Sequence, residues 1–210
     1  MNILIVDDHP MIVSFYENAL KSYFHKILNI YKAYNCQEAY NGLFADYDIA
    51  IIDASLPPYV EKDLHSGADI ALLIGKVNPS CKIVIITGFD KKLILYNLFR
   101  QIRPDAIIAK NDISAENFIE IITDVLDGKK YQSPTVKNSI SEIWANDILA
   151  DEHNRDILFN LSNGYKINEL NTIVPLAEIT IRKRLSLIKK AFQIGSNDNL
   201  LTEIKRRGIL

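Results

Sequence analysis

Short apolar runs alternate with longer amphipathic stretches through residues 1–128. Residues 2–6, 27–34, 48–52, 82–87 and 106–109 read as strands. In three of them the segments ILIV, IAII and IVII are apolar at consecutive positions, as central parallel strands covered on both faces require. The stretches 10–24, 36–44, 67–77, 91–102 and 114–126 read as helices. Ser114 stands as N-cap of the last, with Glu116 and Asn117 in its first turn and Gly128 just past its end. Strand followed by helix, repeated with right-handed crossovers, predicts a five-stranded parallel, doubly wound α/β sheet.

After Gly128 the alternation stops. Residues 129–138 (KKYQSPTVKN) are polar and contain Pro134, so 129–146 read as a linker. From Asp147 only helical periodicity remains. Asp151 caps a helix through Ser162, with Ile157, Leu158 and Leu161 on one face and Gly164 as the stop. Residues 167–173 form a short second helix. Residues 178–192 form a third, with Ile181, Leu185, Ile188 and Phe192 as its core stripe, and 199–207 a fourth. A short helix, a turn and a longer basic helix is the helix-turn-helix order. The predicted organisation is therefore an α/β domain at 1–128, a linker at 129–146 and an all-α domain at 147–210.

Composition adds exclusions. At 210 residues the chain can hold one large or two modest domains, and a net charge of −2 gives no whole-chain pull toward nucleic acid or membrane. Cys36 and Cys81 are isolated, as thiols of a reducing compartment are. The opening MNILIVDD lacks a basic n-region, which argues against a secretory signal, and no apolar run reaches the ~20 residues of a membrane span. A soluble, cytoplasmic protein with no membrane partner is expected.

The candidate chemistry lies at the strand ends. Asp7 and Asp8 close the first run, Asp53 the third, Thr87 the fourth and Lys110 the fifth. Parallel strands that alternate with helices finish on one edge, so these side chains converge on the crevice beyond it. One Asp at a strand end is more often a helix cap or a solvated charge. Ends in strand order one, three, four and five, with two acids, another acid, a hydroxyl and an ammonium, suit a divalent metal and a phosphoryl group together. Mg2+ takes one or two carboxylates plus waters: Asp8 directly, Asp7 directly or through water, and one oxygen of Asp53. The other Asp53 oxygen is the nucleophile, Lys110 a point charge for phosphoryl oxygens, and Thr87 a hydrogen-bonding hydroxyl.

With ILIVDDHP, IIDASLP, IITG and AKND in place, residues 1–128 resemble the receiver domain of a bacterial two-component response regulator, whose sheet is flavodoxin-like. The resemblance implies Asp53 as phosphoacceptor, Asp7 and Asp8 as the acidic pair, Thr87 as the switch hydroxyl and Lys110 as the pocket lysine. It adds the backbone carbonyl of Ser55 to the Mg2+ shell. It implies a sensor histidine kinase as partner, and a chain that assists its own phosphorylation and dephosphorylation without being an enzyme on outside substrates. His9 followed by Pro10 goes with the branch bearing a LuxR/NarL-type output, and His9 is read as a helix-entry residue. The pattern departs at Ile107, where an aromatic usually stands three residues before the lysine. It departs again in the long loop PYVEKDLHSG, whose Tyr59 and acids are placed to cover or alter the pocket.

Residues 147–210 resemble the LuxR/NarL/FixJ-type four-helix DNA-binding domain through RDILFNLSNGYKINEL, VPLAEITIRKRLSLIKKAF and GSNDNLLTEI. Departures are Asn154 for the usual Glu, Ile167 for an Asn and Arg184 for a His. The resemblance places Arg182, Lys183 and Ser186 toward the major groove and Thr180 and Lys166 at phosphates of double-stranded DNA, bound by a homodimer on paired half-sites. Two rival readings stay open: a regulator that binds DNA independently of phosphorylation, and a signalling adaptor whose helix-turn-helix binds protein.

Overall fold

A computed structural model describes residues 1–24, 27–43, 46–195 and 198–210. The expected helix end at Phe44, and Ser196 and Asn197 of the terminal segment, lie outside them. The described residues form two compact units, Met1–Gly88 with Leu98–Val136, and Phe89–Asn97 with Lys137–Leu210.

The first unit contains β1 (Asn2–Val6), α1 (Pro10–Tyr23), β2 (Asn29–Ala33), α2 (Cys36–Asn41), β3 (Ile49–Asp53), α3 (Gly67–Val77), β4 (Lys82–Thr87), β5 (Ala106–Ala109), α5 (Ala115–Leu126) and β6 (Tyr131–Gln132). Helix α4 (Lys92–Ile102) contributes its second half here and its first half to the other unit. The sheet is wholly parallel in the order β2-β1-β3-β4-β5-β6. Ile3, Ile5, Ile49, Ile51, Val84 and Ile86 meet Val13, Leu20, Phe118 and Ile122 in one buried cluster, so the apolar runs do become central strands. The order reverses between β1 and β3, which opens the crevice at their carboxyl ends. Ser114 caps α5 in a reciprocal capping box with Asn117, and Gly128 takes the left-handed φ of +86°.

The sheet has six strands where the sequence predicts five. The polar stretch expected as a linker supplies the sixth: the amides of Tyr131 and Ser133 donate to the carbonyls of Asp105 and Ile107 at 2.9 and 3.1 Å. Pro134 starts α6 (Pro134–Ala145) and interrupts nothing, because the first helical position needs no N–H and favours the φ of proline. Asp112 anchors that start, accepting from the Thr135 amide and hydroxyl, both at 2.9 Å. Burial works against the Asp112 carboxylate, but bonds from Ser133 and Thr135 outweigh it and hold the group below its ordinary range. A depressed carboxyl stabilises above the unfolded pKa, about 4, and loses that contribution as pH falls through the lower folded value. Asp112→Ala should therefore cost about 1–2 kcal/mol at pH 7. The difference in urea midpoint from wild type should shrink steadily as pH is taken toward 3. A pH-independent difference would contradict this assignment.

The second unit holds α6 beyond its first turn, α7 (Asp147–Ala150), α8 (Glu152–Ser162), α9 (Glu178–Ala191) and α10 (Leu200–Arg206). Asp151 caps α8 by accepting from the Asn154 amide at 3.1 Å, and Ile181, Leu185, Ile188 and Phe192 are buried as the stripe requires. The expected helix at 167–173 is a correction: only a 3-10 turn, Leu170–Thr172, forms. The Glu169 carboxylate takes the Lys166 amide, the Thr172 hydroxyl bonds back to the Glu169 carbonyl, and β-branched residues lead into Pro175. Those bonds satisfy the backbone locally and leave no room for an α-helical ladder. In the same unit the first amides of α4 are accepted by carbonyls near the other end of the chain, Lys92 by Gly208 at 3.3 Å and Leu93 by Ile209 at 2.9 Å. Tyr96 of α4 meets Trp144 of α6 edge-on, with centroids 5.6 Å apart, and the Arg155 guanidinium lies 4.6 Å from the Tyr96 ring centre.

Candidate functional site

The crevice at the carboxyl edge of the first unit receives one contribution from each central strand. Asp7 follows β1, Asp53 ends β3, Thr87 ends β4 and Lys110 follows β5. Asp7, Asp53 and Thr87 are buried to 1%, 4% and 0% exposure, so these carboxylates and this hydroxyl are not ordinary solvated caps. Lys110 Nζ lies 2.5 Å from Asp53 Oδ2 and 3.1 Å from Asp7 Oδ2, tying the ends of three strands through one ammonium. Asp53 Oδ1 accepts from the Ser55 amide at 3.0 Å. Burial pushes the Asp53 carboxyl above its ordinary range, with Lys110 and the Ser55 amide pulling it partway back. Burial also disfavours the Lys110 ammonium, but the Asp53 and Asp7 carboxylates prevail and hold it charged.

Two residues not singled out for chemistry in the sequence complete this geometry. Gly67, first residue of α3, donates its amide to the Ala54 carbonyl at 3.1 Å. A Cβ there would stand 1.7 Å from the Asp53 carbonyl oxygen, so the helix can approach the strand end only with glycine. The legible signal was a glycine opening an apolar helix, which by itself says little. His9 was read as a helix-entry residue, and it is the N-cap of α1 by position, but its side chain makes no capping bond. Its Nδ1 instead lies 2.7 Å from Asp8 Oδ1 and 3.2 Å from Asp7 Oδ1.

The long loop after Pro57 is anchored on α2. The Cys36 amide donates to the Pro57 carbonyl at 3.0 Å, Tyr59 packs edge-on against Tyr40, and Lys62 sits over the Tyr40 ring. Tyr59 is thus packed on α2. Ile107 is buried and paired with Gln132 of β6, beside a hollow of about 520 Å³ lined by Phe99, Arg103, Tyr131 and Gln132 among others. The face where an aromatic readout is usual therefore carries an added strand.

In the second unit Arg182, Lys183 and Ser186 are exposed on α9, with Thr180 half-buried near its start and Lys166 exposed ahead of the 3-10 turn. Arg182 is held by Glu178 Oε1 at 2.6–2.8 Å. A hollow of about 530 Å³ runs along this face between Ile167 and Ile194, lined by Arg182, Ser186, Lys189 and Lys190. Two of the sequence departures meet: Arg184 Nη1 donates to Asn154 Oδ1 at 2.9 Å and to Asp151 Oδ1 at 2.8 Å. The replacements at 154 and 184 thus form one internal contact, which takes Arg184 out of the exposed basic face.

The model for the response regulator receiver domain matches residues 3–123, with the acidic pair, Asp53, Thr87 and Lys110 all inside the matched stretch. The chain belongs to the response regulator receiver family. Similar folds occur in solved structures of RcsB. RcsB from Salmonella enterica serovar Typhimurium, bound to promoter P1flhDC in the presence of phosphomimetic BeF3-, has a TM-score of 0.67 at 19% identity, over 100% of this chain and 98% of that one. Two RcsB dimers bound to two parallel DNAs give 0.64 at 18% over 98% of both chains. The isolated REC domain of RcsB gives 0.57 at 21%, covering 67% of this receiver chain and 98% of its own. At such identities the likeness shows the fold, and it extends over both units. Among the described residues, no helix of this response regulator is long and apolar enough to cross a membrane.

Proposed function

We propose that the chain is a phosphorylation-controlled transcription regulator, phosphorylated on Asp53 by a sensor histidine kinase and binding double-stranded DNA as a homodimer. The observation that carries the reading is the convergence of Asp7, Asp53 and Lys110 from three strand ends within 2.5–3.1 Å. An Asp53 oxygen attacks phosphorus of a phosphohistidine, the P–N bond breaks, and the kinase imidazole leaves with its electron pair. Lys110 already stands where equatorial phosphoryl oxygens gather charge, and the Thr87 hydroxyl closes the same crevice. Donor atoms of Asp7, Asp8, His9 and Asp53 lie within 4.8 Å of one another, which fits a single divalent ion. Asp7, Asp8 and Asp53, with the Ser55 carbonyl, would hold Mg2+, which offsets the charge shared by Asp53 and the incoming phosphoryl group. The RcsB structures on DNA support assigning the second unit to duplex binding. Arg182, Lys183 and Ser186 then face the major groove, with Lys166 and Thr180 at phosphates.

The test measures affinity for a duplex selected from random sequence, with and without beryllofluoride and Mg2+. Wild type should tighten on addition, Asp53→Asn should not, and Lys166→Ala should lower both affinity and salt slope, the latter by about 1. Equal affinity of wild type and Asp53→Asn under every condition would favour a regulator that acts independently of phosphorylation. Absence of salt-dependent duplex binding would favour a protein-binding adaptor.

A further inference from the structure

We propose that the hollow beside Ile107 is a binding site for a small aromatic carboxylate, with Arg103 taking its anionic end. The hollow belongs to the first unit, and its volume of about 520 Å³ is that of a small-molecule site. Pro104 and Asp105 precede β5 whereas Lys110 follows it, so the hollow reaches toward the end of that strand away from the acidic crevice. Phe99 from α4, Ile107 from β5 and Tyr131 from β6 supply its apolar wall. Ile107 stands where an aromatic side chain is usual, and a ligand ring can take the space that such a side chain would fill.

The charge around that wall has one sign. Asp105 is the only acid among the described lining residues, and its oxygens are already engaged. Oδ2 accepts from the Ile83 amide at 2.9 Å, and Oδ1 faces Lys130 Nζ at 3.0 Å and Lys82 Nζ at 3.6 Å. Arg100 and Arg103 therefore add positive charge that no acid of the lining offsets. Arg103 is the decisive residue. It follows α4 with a φ of +49°, in the left-handed region where helices usually end on glycine. Its amide donates to the Phe99 carbonyl at 3.0 Å, a bond that glycine would make equally well. The backbone thus asks for the conformation and not for this side chain. Among the described residues the Arg103 guanidinium and the Gln132 carboxamide, both on the lining, have no hydrogen-bond partner. A guanidinium fork and an amide donor at the border of an apolar wall suit a carboxylate, and the flat guanidinium can also stack on a ring.

The experiment titrates the full chain by calorimetry with cinnamate, and separately with the neutral cinnamyl alcohol. Wild type is compared with Arg103→Gly and Gln132→Glu. Glycine suits the left-handed conformation, so Arg103→Gly should fold at least as well as wild type. Gln132→Glu keeps the backbone pairing with Ile107 and adds a negative charge to the lining. Wild type should bind cinnamate more tightly than the alcohol. Arg103→Gly should lose about tenfold or more in cinnamate affinity. Gln132→Glu should also weaken cinnamate, with binding of the alcohol unchanged in both variants. Failure of wild type to bind cinnamate overturns the proposal. Cinnamate affinity independent of Arg103 also overturns it, because the probe would then sit elsewhere. Equal losses for carboxylate and alcohol would mean that Arg103 only shapes the hollow, and the proposal fails. Asp53→Asn should bind cinnamate as wild type does; a change there would place the probe in the acidic crevice and sink the assignment.

Discussion

Gly67→Ala should disable the pocket although it replaces none of the proposed pocket side chains. The new Cβ would lie 1.7 Å from the Asp53 carbonyl oxygen and 2.9 Å from its carbonyl carbon, and both are backbone atoms that cannot swing aside. Either the start of α3 or the end of β3 must move by more than an ångström. The Lys110 contact with Asp53 at 2.5 Å tolerates no such shift. Misplacing a reacting group by about 1 Å can cost roughly 100-fold in rate. Phosphoryl uptake from a small phosphodonor should fall by about that factor, with a loss of stability of about 1–3 kcal/mol from overpacking. Gly75→Ala in the same helix is the control. Its Cβ would meet only Ile83 Cδ1 at 3.6 Å, ordinary contact, and alanine gains up to ~1 kcal/mol of helix propensity. Comparable uptake by the two variants would contradict the role assigned to Gly67.

Arg155→Met should destabilise the second unit by about 2–4 kcal/mol. Arg155 is 3% exposed. Its Nη1 donates to the carbonyls of Leu149 and Ala150, both at 2.6 Å, where α7 ends and its carbonyls lack helical partners. Its guanidinium also lies 4.6 Å from the Tyr96 ring centre and 5.7 Å from that of Trp144. Desolvated contacts of this kind contribute about 2 kcal/mol. Methionine keeps much of the volume but donates nothing, so two carbonyls lose their partner. Trp144 is the only tryptophan, and its fluorescence reports the loss directly. In urea the transition seen by Trp144 should move to lower concentration, with the first unit's transition unmoved. An unchanged Trp144 midpoint would show that water replaces the guanidinium at no cost.

The legibility of the sequence follows the length of each pattern. Buried parallel strands write themselves as consecutive apolar residues, and a parallel sheet puts their ends on one edge, so Asp7, Asp53, Thr87 and Lys110 could be brought together from spacing alone. The Ser114 box is equally local, with both partners within one turn. Tyr131 and Gln132 form a strand too short to show a period of two, and Pro134 looks the same as a breaker and as a first helical residue. Arg155 carries no local mark of its burial, since the carbonyls it meets lie six and five residues earlier, past the start of its own helix. Asn154 and Arg184 looked like separate departures because their contact joins residues 30 apart. His9 was invisible for another reason: its position explains its backbone role, and the direction of its ring is a matter of three dimensions.

The segment that follows the matched stretch has a bearing on how the receiver behaves if separated. The family pattern needs residues only to 123, whereas the first unit runs to Val136. A fragment cut at Gly128 would keep every residue of the pocket and lose the cover of β5. The carbonyls of Asp105 and Ile107 would lose the amides of Tyr131 and Ser133, and the buried Ala109 amide would lose the Ser133 hydroxyl. A bare, apolar strand edge is a template on which another chain can pair. Beginning eight residues past the matched stretch, β6 thus closes the edge of β5 against strand pairing with another chain.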